Sequence, residues 1–256
     1  MTELVHLDMA AGIATITLDS PANRNALSRQ LRAELSAHLD TAIADDSTRV
    51  IVLSHTGRVF CSGMDLKESR GAGAQDQGVN EFPAILQRIW TAPKPVLVRI
   101  AGPARAGGVG LVAACDVAVA AADATFAFSE VRIGVVPAVI SVTVLPRLLP
   151  RAAHELFLTG ETFDATTAAR IGLINSAVPG FDLDTEVARY VDMLRRGAPG
   201  ALAATKELLR SERPAALDDQ FTEMLALSAR FFASPEAQEG MAAFAAKRSP
   251  SWVSTP

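Results

Sequence analysis

The chain has 256 residues, of which 49% are hydrophobic and 20% charged, and a net charge of −4. That length fits one large domain or a domain with an appended segment, and the apolar share suffices for a sizeable core without disulfide staples. The acidic balance excludes nucleic acid or an anionic membrane held by bulk charge, but not an anionic small molecule that needs only a few local cations.

The two cysteines, Cys61 and Cys115, fit reduced thiols. Together with His6, His38, His55 and His154 they show no ligand spacing, so no metal site is expected. The N-terminus has no basic segment followed by an apolar run, and no apolar stretch reaches spanning length. A cytoplasmic protein without membrane association is the expectation.

Residues 4 to 9 alternate apolar and polar, and the pattern resumes after Gly12 over Ile13–Leu18, which predicts a β-hairpin. Asp19 to Ser28 is turn-forming and ends in a helix N-cap, after which Leu31, Leu35, Leu39 and Ile43 mark one helical face. Val50 to Ser54 reads as a strand that enters the passage Gly57 to Lys67, with a glycine at its turn. Residues 68 to 80 lack periodicity and predict a mobile loop. A helix over Phe82 to Trp90 is stopped by Pro93 and Pro95, which set up a strand over Val96 to Ile100. Gly107, Gly108 and Gly110 then open a small-residue helix, a second strand ends near Ala120, and Glu130 follows the apolar run Phe126-Ala-Phe128.

Strands alternating with helices to about residue 180 argue for an α/β core with parallel pairing. Beyond Phe181 only helical stripes remain. One is Val187, Tyr190, Val191 and Leu194; a second is Leu202, Thr205, Leu208 and Leu209. The third is Leu217, Phe221, Met224, Leu225, Ser228 and Phe231. Such broad apolar faces predict packing on the core or on another subunit.

Two glycine turns thus stand at the C-terminal ends of apolar strands, where open α/β folds bind ligands. One supplies the N–H of Met64, just after Gly63, and the other that of Gly107. Without a Cβ in the way, a ligand can approach such backbone closely. Two converging N–H donors at a helix start suit a developing oxyanion.

The segments Pro21-Ala-Asn-Arg-Asn-Ala-Leu27, Phe60-Cys-Ser-Gly-Met-Asp-Leu-Lys67 and Ala106-Gly-Gly-Val-Gly-Leu-Val-Ala-Ala-Cys-Asp116 carry a family resemblance. So do Phe128-Ser-Glu-Val-Arg-Ile-Gly134, Leu158-Thr-Gly-Glu-Thr-Phe163, Ala168-Ala-Arg-Ile-Gly-Leu173 and Glu239-Gly-Met-Ala-Ala-Phe244. In this order they make the chain resemble the crotonase, or enoyl-CoA hydratase/isomerase, superfamily over nearly its full length. The resemblance implies a crotonase-like ββα spiral core over residues 1–196 and a C-terminal helical oligomerisation segment over 197–256. It also implies a homotrimer or dimer of trimers.

The implied substrate is an acyl-CoA thioester, with coenzyme A entering as part of the substrate and no separate cofactor. Its carbonyl would lie between the N–H groups of Met64 and Gly107, with Glu130 as the acid/base. Ala26, Ser62, Gly63 and Gly108 match the loops that cradle CoA, Arg24 the basic position near its phosphates, and Phe244 and Lys247 the C-terminal approach. Hydratases of the family commonly carry a second glutamate, which falls here on Gly110. The implied activity is enoyl-CoA hydration. Δ3-Δ2-enoyl-CoA isomerisation is the alternative within the family, and a non-catalytic acyl-CoA-binding protein the alternative from another class. Arg105 and Arg132 are further candidates for receiving a substrate carboxylate.

Overall fold

A computed structural model describes residues 2–68, 81–210 and 216–248. Strands β1 (Val5–Ala10) and β2 (Ile13–Leu18) form the expected antiparallel hairpin. Helix α1 (Arg29–Ala44) starts where Ser28 accepts the Leu31 N–H at 3.3 Å, and β3 (Val50–His55) returns parallel to β2. Helix α2 (Phe82–Thr91) leads into β4 (Val96–Ile100), which adds parallel to β3. Of the loop expected over 68–80, Glu68 accepts the Arg29 N–H at 2.8 Å, and residues 69–80 lie outside the described residues.

A two-residue strand β5 (Ala104–Arg105), helix α3 (Gly107–Ala114), β6 (Val117–Ala121) and β7 (Thr125–Ala127) follow. Next come α4 (Ala138–Val144), α5 (Pro150–Thr159), β8 (Phe163–Asp164), α6 (Ala165–Arg170) and β9 (Ser176–Val178). The main sheet runs β1-β2-β3-β4-β6-β9, parallel except at the first hairpin, and β5-β7-β8 form a second, small sheet. Strand alternation divides the core in two. Ile51, Leu53, Val98 and Ala120 face α1, α2 and α3, whereas Val50, Val52, Leu97 and Val119 face α7 (Leu183–Arg195) through Leu183, Val187 and Val191.

Among the described residues three more helices follow: α8 (Pro199–Arg210), α9 (Ala216–Phe232) and α10 (Pro235–Ala245). Helix α8 is tied to the core by Lys206, which is 7% exposed and whose ammonium lies 2.6 Å from Asp116 Oδ2 and donates to Lys94 O at 3.0 Å. Asp116 also accepts the Val96 N–H at 2.7 Å, so one carboxylate joins α8 to the mouth of β4. Helix α9 lies along α4, and α10 lies on a 3-10 turn over Ser129–Ile133. The apolar face of α9 therefore closes largely on the chain's own core. Phe221 and Phe232 are buried there, while Leu217, Met224 and Leu225 are partly buried against the same cluster.

Candidate active site

The Pro21–Leu27 turn is fixed by Asn25, whose side chain accepts the Ser20 N–H at 2.7 Å and donates to Val59 O at 2.8 Å and Thr56 O at 3.1 Å. From this turn Leu27 N–H reaches Gly63 O at 2.8 Å, and Ser62 N–H reaches Arg24 O at 3.1 Å. Arg32, buried on α1, donates from Nη1 to Leu27 O at 2.5 Å and holds the turn from behind. The passages around residues 24 and 62 are thereby locked together, and the Arg105 N–H, which donates to Cys61 O at 2.9 Å, ties in the one that leads to residue 106.

Gly63 has φ +91°, and a Cβ there would come 3.0 Å from Ala106 Cβ and 3.5 Å from Gly107 N. A Cβ on Gly108 would stand 2.6 Å from Cys61 O, so the first turn of α3 needs glycine to lie against the Cys61–Met64 passage. Met64 and Gly107 line the same cavity, and neither backbone N–H donates to another described residue. Two adjacent orphan donors, one of them at the positive end of a helix, are what an oxyanion requires.

The cavity measures about 190 Å³ and has a mostly apolar wall from Phe82, Val139, Ile140 and Phe232. Glu130, in the 3-10 turn, lines it too. The residue as a whole is half-buried, but its Oε2 is closed to solvent and has no hydrogen-bond partner among the described residues. Burial pushes its carboxyl up from 4.5 to about 7. A Cβ on Gly240 of α10 would lie 2.3 Å from Ile133 O, so that glycine lets α10 pack directly on the turn that carries Glu130.

The sequence profile of the enoyl-CoA hydratase/isomerase family matches residues 8–255. The chain belongs to the enoyl-CoA hydratase/isomerase family. An enoyl-CoA hydratase of known structure from Mycobacterium avium is 44% identical, with TM-score 0.88, covering 99% of this chain and 100% of that one. The protein named Probable enoyl-CoA hydratase in Rhodobacter capsulatus is 37% identical over 253 residues, 96% of each chain. Carnitinyl-CoA dehydratase of Proteus mirabilis is 33% identical over 260 residues, covering 98% of this chain and 99% of its own. The fold is accordingly the crotonase-like α/β architecture with a C-terminal helical segment.

Of the residues matched to the family, Ser62, Met64, Gly107, Glu130 and Phe244 line one cavity. Gly63 and Gly108 lie in the two turns that build it, and buried Ala26 supports the first. Arg24, with φ +62°, and Lys247, with φ +53°, are exposed and lie outside the cavity lining. Arg105 is spent on Ala104 O, Thr125 O and Thr125 Oγ1, at 2.9, 2.6 and 2.8 Å. Arg132 lines the cavity, but its guanidinium is paired with Glu161.

Sequence reasoning missed the wall contributed by α4 and α9. At Gly110, where many hydratases of the family have glutamate, a Cβ would meet Ile140 Cγ2 at 2.6 Å and Ile140 Cβ at 3.2 Å. The space for a second carboxylate is filled by isoleucine. The missed signal was the apolar run Ala138-Val-Ile140, which reads from sequence as plain core.

Proposed function

We propose that the chain hydrates an enoyl-CoA thioester, with Glu130 as its only acid/base. The observation that carries this reading is a carboxyl with one oxygen buried and unpartnered among the described residues, pushed up to about 7 by burial, in the same cavity as two N–H donors that bond no other described residue. The thioester oxygen would accept from Met64 and Gly107, so that electron density entering the acyl group collects there as an enolate. Ionised Glu130 takes a proton from water as the water oxygen bonds to Cβ, and the π electrons pass into the enolate. The protonated carboxyl then gives that proton to Cα, and the carbonyl re-forms. A pKa near neutrality lets one group serve both half-steps. Ser62, Gly63, Gly108 and Ala26 would cradle the CoA moiety, with Arg24, Phe244 and Lys247 toward its nucleotide end.

The filled space beside Gly110 favours a second reading, isomerisation. In that reaction Glu130 removes a proton from the carbon next to the carbonyl of a 3-enoyl-CoA and returns it two carbons further along, with no water needed. Crotonyl-CoA and 3-hexenoyl-CoA, followed by the loss or gain of conjugated enoyl-thioester absorbance, distinguish the two. Loss with crotonyl-CoA is the expected result. Turnover of neither, with tight CoA-thioester binding, would leave a binding protein instead.

The trimeric assembly implied by the family also enters as a proposal. Leu208 and Leu209, 69% and 80% exposed on α8, are apolar side chains that the chain's own fold leaves accessible. Sedimentation equilibrium at micromolar concentration is expected to give a multiple of three. A clean monomer would contradict it.

A further inference from the structure

Ser228 stands on the cavity-facing stripe of α9, at a place where helical spacing from Phe221, Met224 and Leu225 calls for an apolar residue. It is 4% exposed and lines the cavity together with Phe232, one turn further on. A helical hydroxyl can satisfy itself on the carbonyl four residues back. Thr222 of the same helix does so, bonding Asp218 O at 2.9 Å. The Ser228 hydroxyl makes no hydrogen bond among the described residues. Of the other two serines that line the cavity, Ser62 reaches Asn23 O at 3.5 Å, and Ser129, although its hydroxyl too has no bond among the described residues, is only half-buried.

A hydroxyl on a largely buried residue of this apolar wall, without a partner among the described residues, is left to pair with what fills the cavity. When an acyl chain displaces water from such a wall, an all-carbon chain leaves the hydroxyl unpaired, whereas an oxygen substituent pairs with it. We infer that Ser228 is a specificity-determining residue that selects acyl groups bearing a hydroxyl or carbonyl oxygen beyond the reacting carbons. This rests on the reading of the cavity as an acyl-CoA site.

Saturated thioesters test the inference apart from turnover. Calorimetry would compare hexanoyl-CoA with its hydroxy derivatives at the fourth, fifth and sixth carbons, on the wild type, Ser228→Ala and Ser228→Thr. At least one hydroxy derivative is expected to bind the wild type roughly tenfold more tightly than hexanoyl-CoA. Ser228→Ala should abolish that preference without weakening hexanoyl-CoA, and Ser228→Thr should keep it. Equal binding of all four by the wild type overturns the assignment. So does a preference that survives Ser228→Ala, or an equal loss of affinity for all four in that variant. In each of those cases the thioester reading stands, and binding of none of the four would overturn both.

Discussion

Glu130→Gln is expected to lower turnover by about 10²–10⁴-fold, the usual contribution of a general acid/base, while leaving CoA-thioester affinity nearly unchanged. That loss corresponds to roughly 3–5 kcal/mol of barrier at ~1.4 kcal/mol per tenfold. In the wild type, kcat/KM for hydration should rise with pH through about 7 as Glu130 ionises, and the glutamine variant should lack this limb. Stability should move the other way. The carboxyl titrates near 4.5 when unfolded and near 7 when folded, so between those values the folded state binds more protons. Stability therefore falls as pH rises from 4.5 to about 7, and the full penalty is present above. Its upper bound is about 3 kcal/mol, reduced by whatever solvent the cavity admits. Glu130→Gln should accordingly be the more stable protein at pH ~8 and match the wild type at pH ~4 in urea unfolding. A variant that hydrates at the wild-type rate would show that another group handles the proton.

The parts of the site built by local backbone chemistry were legible in the sequence. Gly63 and Gly107 announced two turns after apolar strands, and those turns do lie side by side. Asn25 announced a tight turn, although its side chain reaching Thr56 O and Val59 O could not be read from spacing. Gly240 belonged to a recognisable segment, but its purpose, contact with Ile133 O, depends on where α10 lands. The wall from Val139, Ile140, Ser228 and Phe232 was not legible, because α4 and α9 meet across some 90 residues of chain. Periodicity reports that a helix has an apolar face and not which surface covers it. From sequence the third stripe fits the core or another subunit, and in the structure α9 packs along α4 with most of that stripe against the core. Arg32, beside Leu31 on an amphipathic helix, gave no sign that its guanidinium turns inward to Leu27 O.

Placing the family's second glutamate into this chain is expected to fail when done alone. In Gly110→Glu the new Cβ would stand 2.6 Å from Ile140 Cγ2, a fully interior contact that only movement of α4 could relieve. Overpacking of this kind costs about 1–3 kcal/mol. A carboxylate left without a partner against Ile140 and Leu86 adds at least a comparable penalty, roughly 1–3 kcal/mol. Thermal unfolding should fall by several degrees, with no gain in hydration of crotonyl-CoA. Removing the obstacle changes the expectation. Ile140→Gly deletes both atoms that lie within 3.2 Å of that Cβ, at the cost of a cavity and about 1 kcal/mol of helix propensity in α4. Against the Ile140→Gly background, Gly110→Glu should raise crotonyl-CoA hydration by about 10²-fold or more, because one carboxylate can then hold water while Glu130 serves Cα. Gly110→Gln in the same background fills the space without supplying a base and should give no such gain. A single Gly110→Glu variant that melts at the wild-type temperature would mean that Ile140 does not hold this space. Equal rates for the glutamate and glutamine double variants would mean that hydration here is not limited by a missing base.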